Sequence, residues 1–117
     1  PLAIGLLSGA YSVDEPLPPH SPWKSEKRDG GLVSTLTPET VNVIELVRRI
    51  ASERGKTMSQ VAINWLLSHP EVTVGISGSD TIEQLDDNLG ALGWQLNEDE
   101  IKTLDAASAG IGKVEGL

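Results

Sequence analysis

The feature that most restricts this 117-residue chain is one short strand-like run set among helical segments. Val72-Thr73-Val74-Gly75-Ile76 alternates at period two and is rich in β-branched residues, so it predicts a strand. One strand cannot make a sheet. Its amides and carbonyls need ladder partners, and burying them unpaired is costly. Either Leu2 to Leu7 supplies a neighbour, or the neighbours belong to chain outside this sequence. The start at Pro1-Leu2-Ala3-Ile4-Gly5, with neither initiator methionine nor cap, favours a piece cut from something longer.

Four helices surround that run. Thr37-Pro38-Glu39 reads as N-cap, proline in the first turn and an acid near the positive helix end. Val43, Val47 and Ile50 mark the buried face, flanked by Ile44 and Ala51, with Glu45 and Arg49 spaced to pair. Gly55 ends this helix. Thr57-Met58-Ser59-Gln60 is a capping box that opens a second helix. Its stripe of Val61, Ala62, Trp65 and Leu66, widened by Ile63 and Leu67, predicts cover on more than one side, and Pro70 closes it. Asp80-Thr81-Ile82-Glu83 caps a third helix whose predicted buried face is Ile82, Leu85, Leu89 and Leu92. Asn97-Glu98-Asp99-Glu100 caps a fourth, with Ile101 and Leu104 inward.

The rest of the chain is looser. Pro16, Pro18, Pro19 and Pro22 exclude a helix from the segment between residues 10 and 37, because each lacks an amide donor and restrains its predecessor. A loop of that length is usually functional or mobile. Gly110, Gly112 and Gly116 make residues 110–117 a flexible tail. The whole, residues 1–117, reads as one partial α/β domain.

Charge and composition exclude several functions. The net charge is −8, and all the excess lies from Glu71 onward, where ten acids face only Lys102 and Lys113. Such a surface repels a phosphate backbone, so nucleic acid is not an expected partner. No apolar run approaches the ~20 residues of a membrane helix, and no signal-peptide pattern opens the chain. With no cysteine, and with His20 and His69 far apart in dissimilar contexts, neither a disulfide framework nor a metal cluster is expected. A reducing compartment, the cytoplasm, is the expected location.

The segment richest in chemistry is Gly75-Ile76-Ser77-Gly78-Ser79-Asp80, running into Thr81-Ile82-Glu83-Gln84-Leu85-Asp86-Asp87-Asn88-Leu89. A strand ending in glycine and small hydroxyl residues, with a helix beginning at once, presents free amides and a helix N-terminus to a phosphate. Taken alone, a small-residue turn into a capped helix is the better reading. The whole segment, with Gln84-Leu85 and Asn88-Leu89 at that spacing, resembles the cofactor motif of the aldo-keto reductases. Ser59-Gln60-Val61-Ala62-Ile63-Asn64-Trp65-Leu66-Leu67 resembles the helix before it in that family. Pro1-Leu2-Ala3-Ile4-Gly5-Leu6-Leu7-Ser8-Gly9 resembles an earlier family segment, and Leu96-Asn97-Glu98-Asp99-Glu100-Ile101 through Leu104-Asp105 its closing helix. Only residues 12–36 lack a counterpart, in a loop that varies within the family.

The resemblance implies the C-terminal part of a (β/α)8 barrel, a fold of ~250 residues that builds phosphate sites after strands 7 and 8. It implies an NADP or NAD cofactor and a small carbonyl substrate for the full-length protein. By that resemblance Leu2, Gly5 and Leu6 lie along the pyrophosphate and ribose, largely through backbone groups. Gly78 and Ser79 sit near the 2′-phosphate side of the adenosine. Gln84, Asp87 and Asn88 contact the adenine ribose and base. Asp80 departs from the pattern: many members place a base near Gly78 to Asp80, so preference for the phosphorylated cofactor should be weak.

No catalytic residue of the family is matched. Tyr11 lacks the context of the catalytic tyrosine and reads as a loop anchor, His20 as an exposed loop residue and His69 as a helix-end residue. Trp65 reads as core, Trp94 as packing under a helix connection and Trp23 as the one able to cover a ligand. The segment alone is therefore expected to be inactive, and to oligomerise, rearrange or be marginally stable if it occurs alone. Two rival readings are a non-catalytic auxiliary subunit that keeps the cofactor site, and a free-standing helical interaction module.

Overall fold

The computed structural model describes residues 1–11, 19, 21 and 36–111 of the chain. His20, Trp23, most of the proline-rich loop and residues 112–117 fall outside them. A 3-10 turn, Leu6–Ser8, precedes four α-helices: α1 (Pro38–Arg54), α2 (Met58–Leu67), α3 (Ile82–Leu89) and α4 (Glu98–Ser108). No described helix is long and apolar enough to cross a membrane.

The caps form as local chemistry dictates. Thr37 accepts from Thr40 N with Pro38 opening α1, and Gly55 ends that helix in the left-handed region at φ 62°. Thr57 with Gln60, and Asn97 with Glu100, close reciprocal capping boxes. The core lies where α1 crosses α2 and α4. Val43, Ile44, Val47, Ile50 and Ala51 of α1 meet Met58 and Val61 of α2, with Leu96 and Leu104 beneath. Val47, Val61 and Leu104 are completely buried. Trp65, Trp94 and Ile101 are half-buried around this centre. The Trp94 indole donates to Gly90 O at 2.9 Å, and Lys56 Nζ sits 5.2 Å from its ring centroid.

Three expectations are corrected here. First, no strand forms among the described residues: Val72 to Ile76 is without a ladder partner. Leu2 to Leu7 supplies none, because Ala3, Ile4 and Gly5 are left-handed and a 3-10 turn follows. Second, the apolar edge of α3 is not buried: Ile82 is 76%, Leu85 48% and Leu89 55% exposed, and Leu92, in the turn after the helix, is 60% exposed. Periodicity placed these residues on one side, but no described element covers that side. Third, Glu45 pairs with Arg48 at 3.3 Å, and Arg49 with Glu53 instead. These exposed pairs add little stability.

Two further bridges tie the helices together. Arg54 pairs with Glu100, joining the end of α1 to the start of α4. That bond holds the Glu100 carboxyl below the usual range. At the end of α2, His69 Nδ1 faces Trp65 O at 2.9 Å and its Nε2 faces Asp105 Oδ1 at 2.9 Å. The Trp65 indole also donates to Asp105 Oδ1, at 2.8 Å.

Both imidazole nitrogens thus face acceptors, and only the imidazolium can donate to both. The hydrogen bond to Asp105 raises the His69 pKa. A raised folded-state pKa gives stability that is complete below the unfolded value, about 6.5, and is lost as pH rises through the folded one. With the side chains 27% and 43% exposed, the effect should stay below about 1 kcal/mol. Thermal unfolding from about pH 5.5 to 8.5 should show this decline, and His69→Gln should abolish it.

Candidate functional site

The N-terminal loop is built from an unusual backbone. Ala3 and Ile4 hold φ of 49° and 57°, and Gly5 follows at 85°. A β-branched residue in the left-handed region is strained, and such strain persists only where the surroundings hold it. The hold is visible. Leu7 N donates to Leu2 O at 3.1 Å, and Gly5 O accepts from Ser8 N at 3.1 Å and Ser8 Oγ at 2.6 Å. Leu6 plugs into the interior beneath, at 2% exposure. Gly5 is constrained by space as well as by φ, since a Cβ there would come 2.9 Å from Tyr11 Cε2.

Opposite this loop stands the corner that leads into α3. Thr81, not Asp80, is the cap: its side chain accepts from Gln84 N at 3.1 Å. Asp80 instead donates its backbone N–H to Gln84 Oε1 at 2.7 Å. Asn88 reaches back from α3, its Nδ2 donating to Ser77 Oγ at 3.1 Å and Ser79 Oγ at 3.0 Å. The corner is thereby fastened to its own helix, while Asn88 Oδ1 accepts nothing among the described residues.

Between loop and corner lies a cleft of about 580 Å³. Leu2, Gly5, Gly78, Asp80, Gln84, Asp87 and Asn88, seven of the residues singled out from the sequence, line it together with Ile4, Tyr11 and Glu83. A second cavity of about 330 Å³ is bounded by Pro1 to Gly5 on one side and Ser77 and Gly78 on the other. Leu6 and Ser79 are absent from both walls: Leu6 is buried under the loop, and Ser79 is engaged by Asn88. Gly78 faces open space, with nothing within 4 Å of where a Cβ would stand. Asp80, Glu83 and Asp87 line the main cleft, and no described lysine, arginine or histidine does.

Tyr11 packs on Leu6 and Gly5, and its hydroxyl accepts from Ser21 Oγ at 3.2 Å. The sequence reading missed the support behind the corner. Thr57 Oγ1 donates to Asp87 Oδ2 at 2.9 Å, and Gln60 Nε2 donates to Asp87 O at 2.9 Å and Oδ1 at 3.3 Å. One helical turn on, Asn64 is 7% exposed and bonds three backbone groups of the chain after α3. A polar residue inside the otherwise apolar Val61-Ala62-Ile63-Asn64-Trp65 run was the available signal.

The model of the Aldo/keto reductase family matches residues 1–109. A chloroplastic pyridoxal reductase of Arabidopsis thaliana is 38% identical over 109 residues, covering 92% of this chain and 27% of that protein. L-glyceraldehyde 3-phosphate reductase of Escherichia coli K12 is 36% identical over 92 residues, 79% of this chain and 27% of the relative. A probable voltage-gated potassium channel subunit beta of Oryza sativa subsp. japonica is 33% identical over 92 residues, 79% of this chain and 28% of that protein. The chain thus spans little more than a quarter of the length of these relatives. With nearly its whole length matched, this chain belongs to the aldo/keto reductase family.

Proposed function

We propose that the chain is the cofactor-holding C-terminal portion of an NAD(P)H-dependent aldo-keto reductase, whose full-length form reduces a small carbonyl compound or oxidises an alcohol. The observation that supports this most is the shared cleft, where two segments far apart in sequence, Leu2 to Gly5 and Gly78 to Asn88, meet. Its residues fit the adenosine half of a dinucleotide. Asn88 Oδ1 would accept from the adenine amino group, the open side of Gly78 would leave room for close approach, and the Leu2–Gly5 backbone would hold the pyrophosphate. When bound, the nicotinamide supplies the hydride, and the protein positions it.

Nothing described on this chain takes the role of proton donor. Tyr11, which accepts from Ser21 Oγ, lacks the sequence context of the family's proton donor, so on this reading the chemistry belongs to residues of the full-length protein outside this segment and the segment alone is inactive. The exposed edge of α3, together with Val74 at 71% and Ile76 at 84% exposure, is the surface that the remaining barrel covers. The likeness to the rice protein favours a second reading, an auxiliary subunit that holds the cofactor without turnover. Absence of the catalytic tyrosine and lysine upstream would select it.

The wall chemistry disfavours a 2′-phosphate. Asp80, Glu83 and Asp87 line the cleft with no described cation among them, and unit like charges 4 Å apart in water repel by about 1 kcal/mol. NADH should therefore bind the full-length protein at least about ten-fold more tightly than NADPH, and Asp80→Arg should reverse most of that margin. Fluorescence titration with both nucleotides tests this. A wild-type preference for NADPH contradicts the discrimination, and binding of neither contradicts the function.

A further inference from the structure

α3 carries Gln84, Asp87 and Asn88 to the cleft, yet none of its residues is buried. Eight residues are too few for a helix to stand on intrinsic propensity. Its support is polar and comes from α2. Gln60 uses both ends of its carboxamide. Oε1 accepts from Thr57 N at 3.0 Å and closes the capping box of α2, while Nε2 donates to the backbone and side-chain oxygens of Asp87. Gly90 sits so close that a Cβ there would overlap Gln60 Nε2. Four residues along the same face of α2, Asn64 fixes the segment that follows α3.

The Asp87 carboxylate is thus held on both oxygens from behind, by Gln60 on Oδ1 and Thr57 on Oδ2. A carboxylate so occupied is a fastening point. We infer that Gln60 is a positioning residue for the dinucleotide site, with Asp87 as the tether it holds. This rests on the cofactor reading above. Gln60 sets the register of α3 on α2, and that register fixes where Gln84 and Asn88 meet the nucleotide.

The test uses the full-length protein with NADH. Gln60→Glu keeps the acceptor that caps α2 but removes the donor to Asp87 and sets two carboxylates together. The NADH dissociation constant should rise about ten-fold. Amide exchange over residues 82–92 should accelerate. The swapped pair Gln60→Glu/Asp87→Asn restores the side-chain bond with donor and acceptor exchanged, leaves the bond to Asp87 O broken, and should recover part of the lost affinity and of the lost exchange protection. If the swap recovers neither affinity nor slow exchange over residues 82–92 relative to Gln60→Glu, the tether is overturned. If Gln60→Glu changes neither affinity nor exchange, the positioning role is overturned. Wild-type protein that binds no dinucleotide overturns the cofactor reading and the site role of Gln60 with it, whereas the exchange comparison still decides whether Gln60 fastens α3.

Discussion

Asn64→Leu is expected to destabilise the fold by about 3 kcal/mol or more, the largest effect of any single polar substitution here. The Asn64 carboxamide is buried and fully used. Nδ2 donates to Ala91 O at 3.0 Å and Trp94 O at 2.9 Å, and Oδ1 accepts from Leu96 N at 3.0 Å. Leucine matches the volume but strands two carbonyls and an amide, and each unsatisfied buried group costs about 1–3 kcal/mol. Asn64→Asp should be milder at the Leu96 amide and severe at the two carbonyls, which would face a carboxylate. Urea unfolding of the three proteins measures the differences. A loss below about 1 kcal/mol for Asn64→Leu would mean that water replaces the side chain and that the connection is not fixed by it.

The second large effect is expected from Leu104→Ala. Leu104 is wholly inaccessible and packs in the cluster that contains Val47, Ile50 and Val61. Truncation there removes transfer energy and leaves a cavity that the crossing of α1 and α4 cannot close without shifting both helices. The expected loss is about 2–5 kcal/mol, read as a lowered urea midpoint at unchanged slope. A loss under about 1 kcal/mol would place the centre of the core elsewhere.

The parts of the fold legible in the sequence are those decided within a few residues. Thr37-Pro38, Thr57 with Gln60 and Asn97 with Glu100 cap their helices as the spacing predicts, because the donor and acceptor belong to one turn. The buried face of α1 is legible because partners lie on both sides of it. The edge of α3 and the Val72–Ile76 run are not. Periodicity reports which side of an element is apolar and says nothing of whether a partner is there to cover it. For Ile82, Leu85, Leu89 and Leu92 no described partner is, and for the strand there is no ladder.

The site divides in the same way. The sequence, through its resemblance, singled out Leu2, Gly5, Gly78, Asp80, Gln84, Asp87 and Asn88, and the fold brings these to one cleft. It did not reveal that Thr81 takes the cap in place of Asp80, since both residue types cap well and only backbone geometry chooses. Nor did it reveal the Gln60–Asp87 or His69–Asp105 contacts, each of which joins residues more than twenty positions apart. Residues of that kind read as exposed helical polar positions until the helices are packed. Asn64 is the exception, since an amide with apolar neighbours on either side in the sequence signals a buried polar group.

The measurement closest to the central claim is hydrogen exchange of the full-length protein with and without saturating NADH. The cleft requires slowed exchange in two stretches together, residues 2–6 and 77–88, with the core of α1 unchanged. Protection confined to other parts of the protein, or at only one of these two segments, would contradict the assignment of this cleft to the dinucleotide.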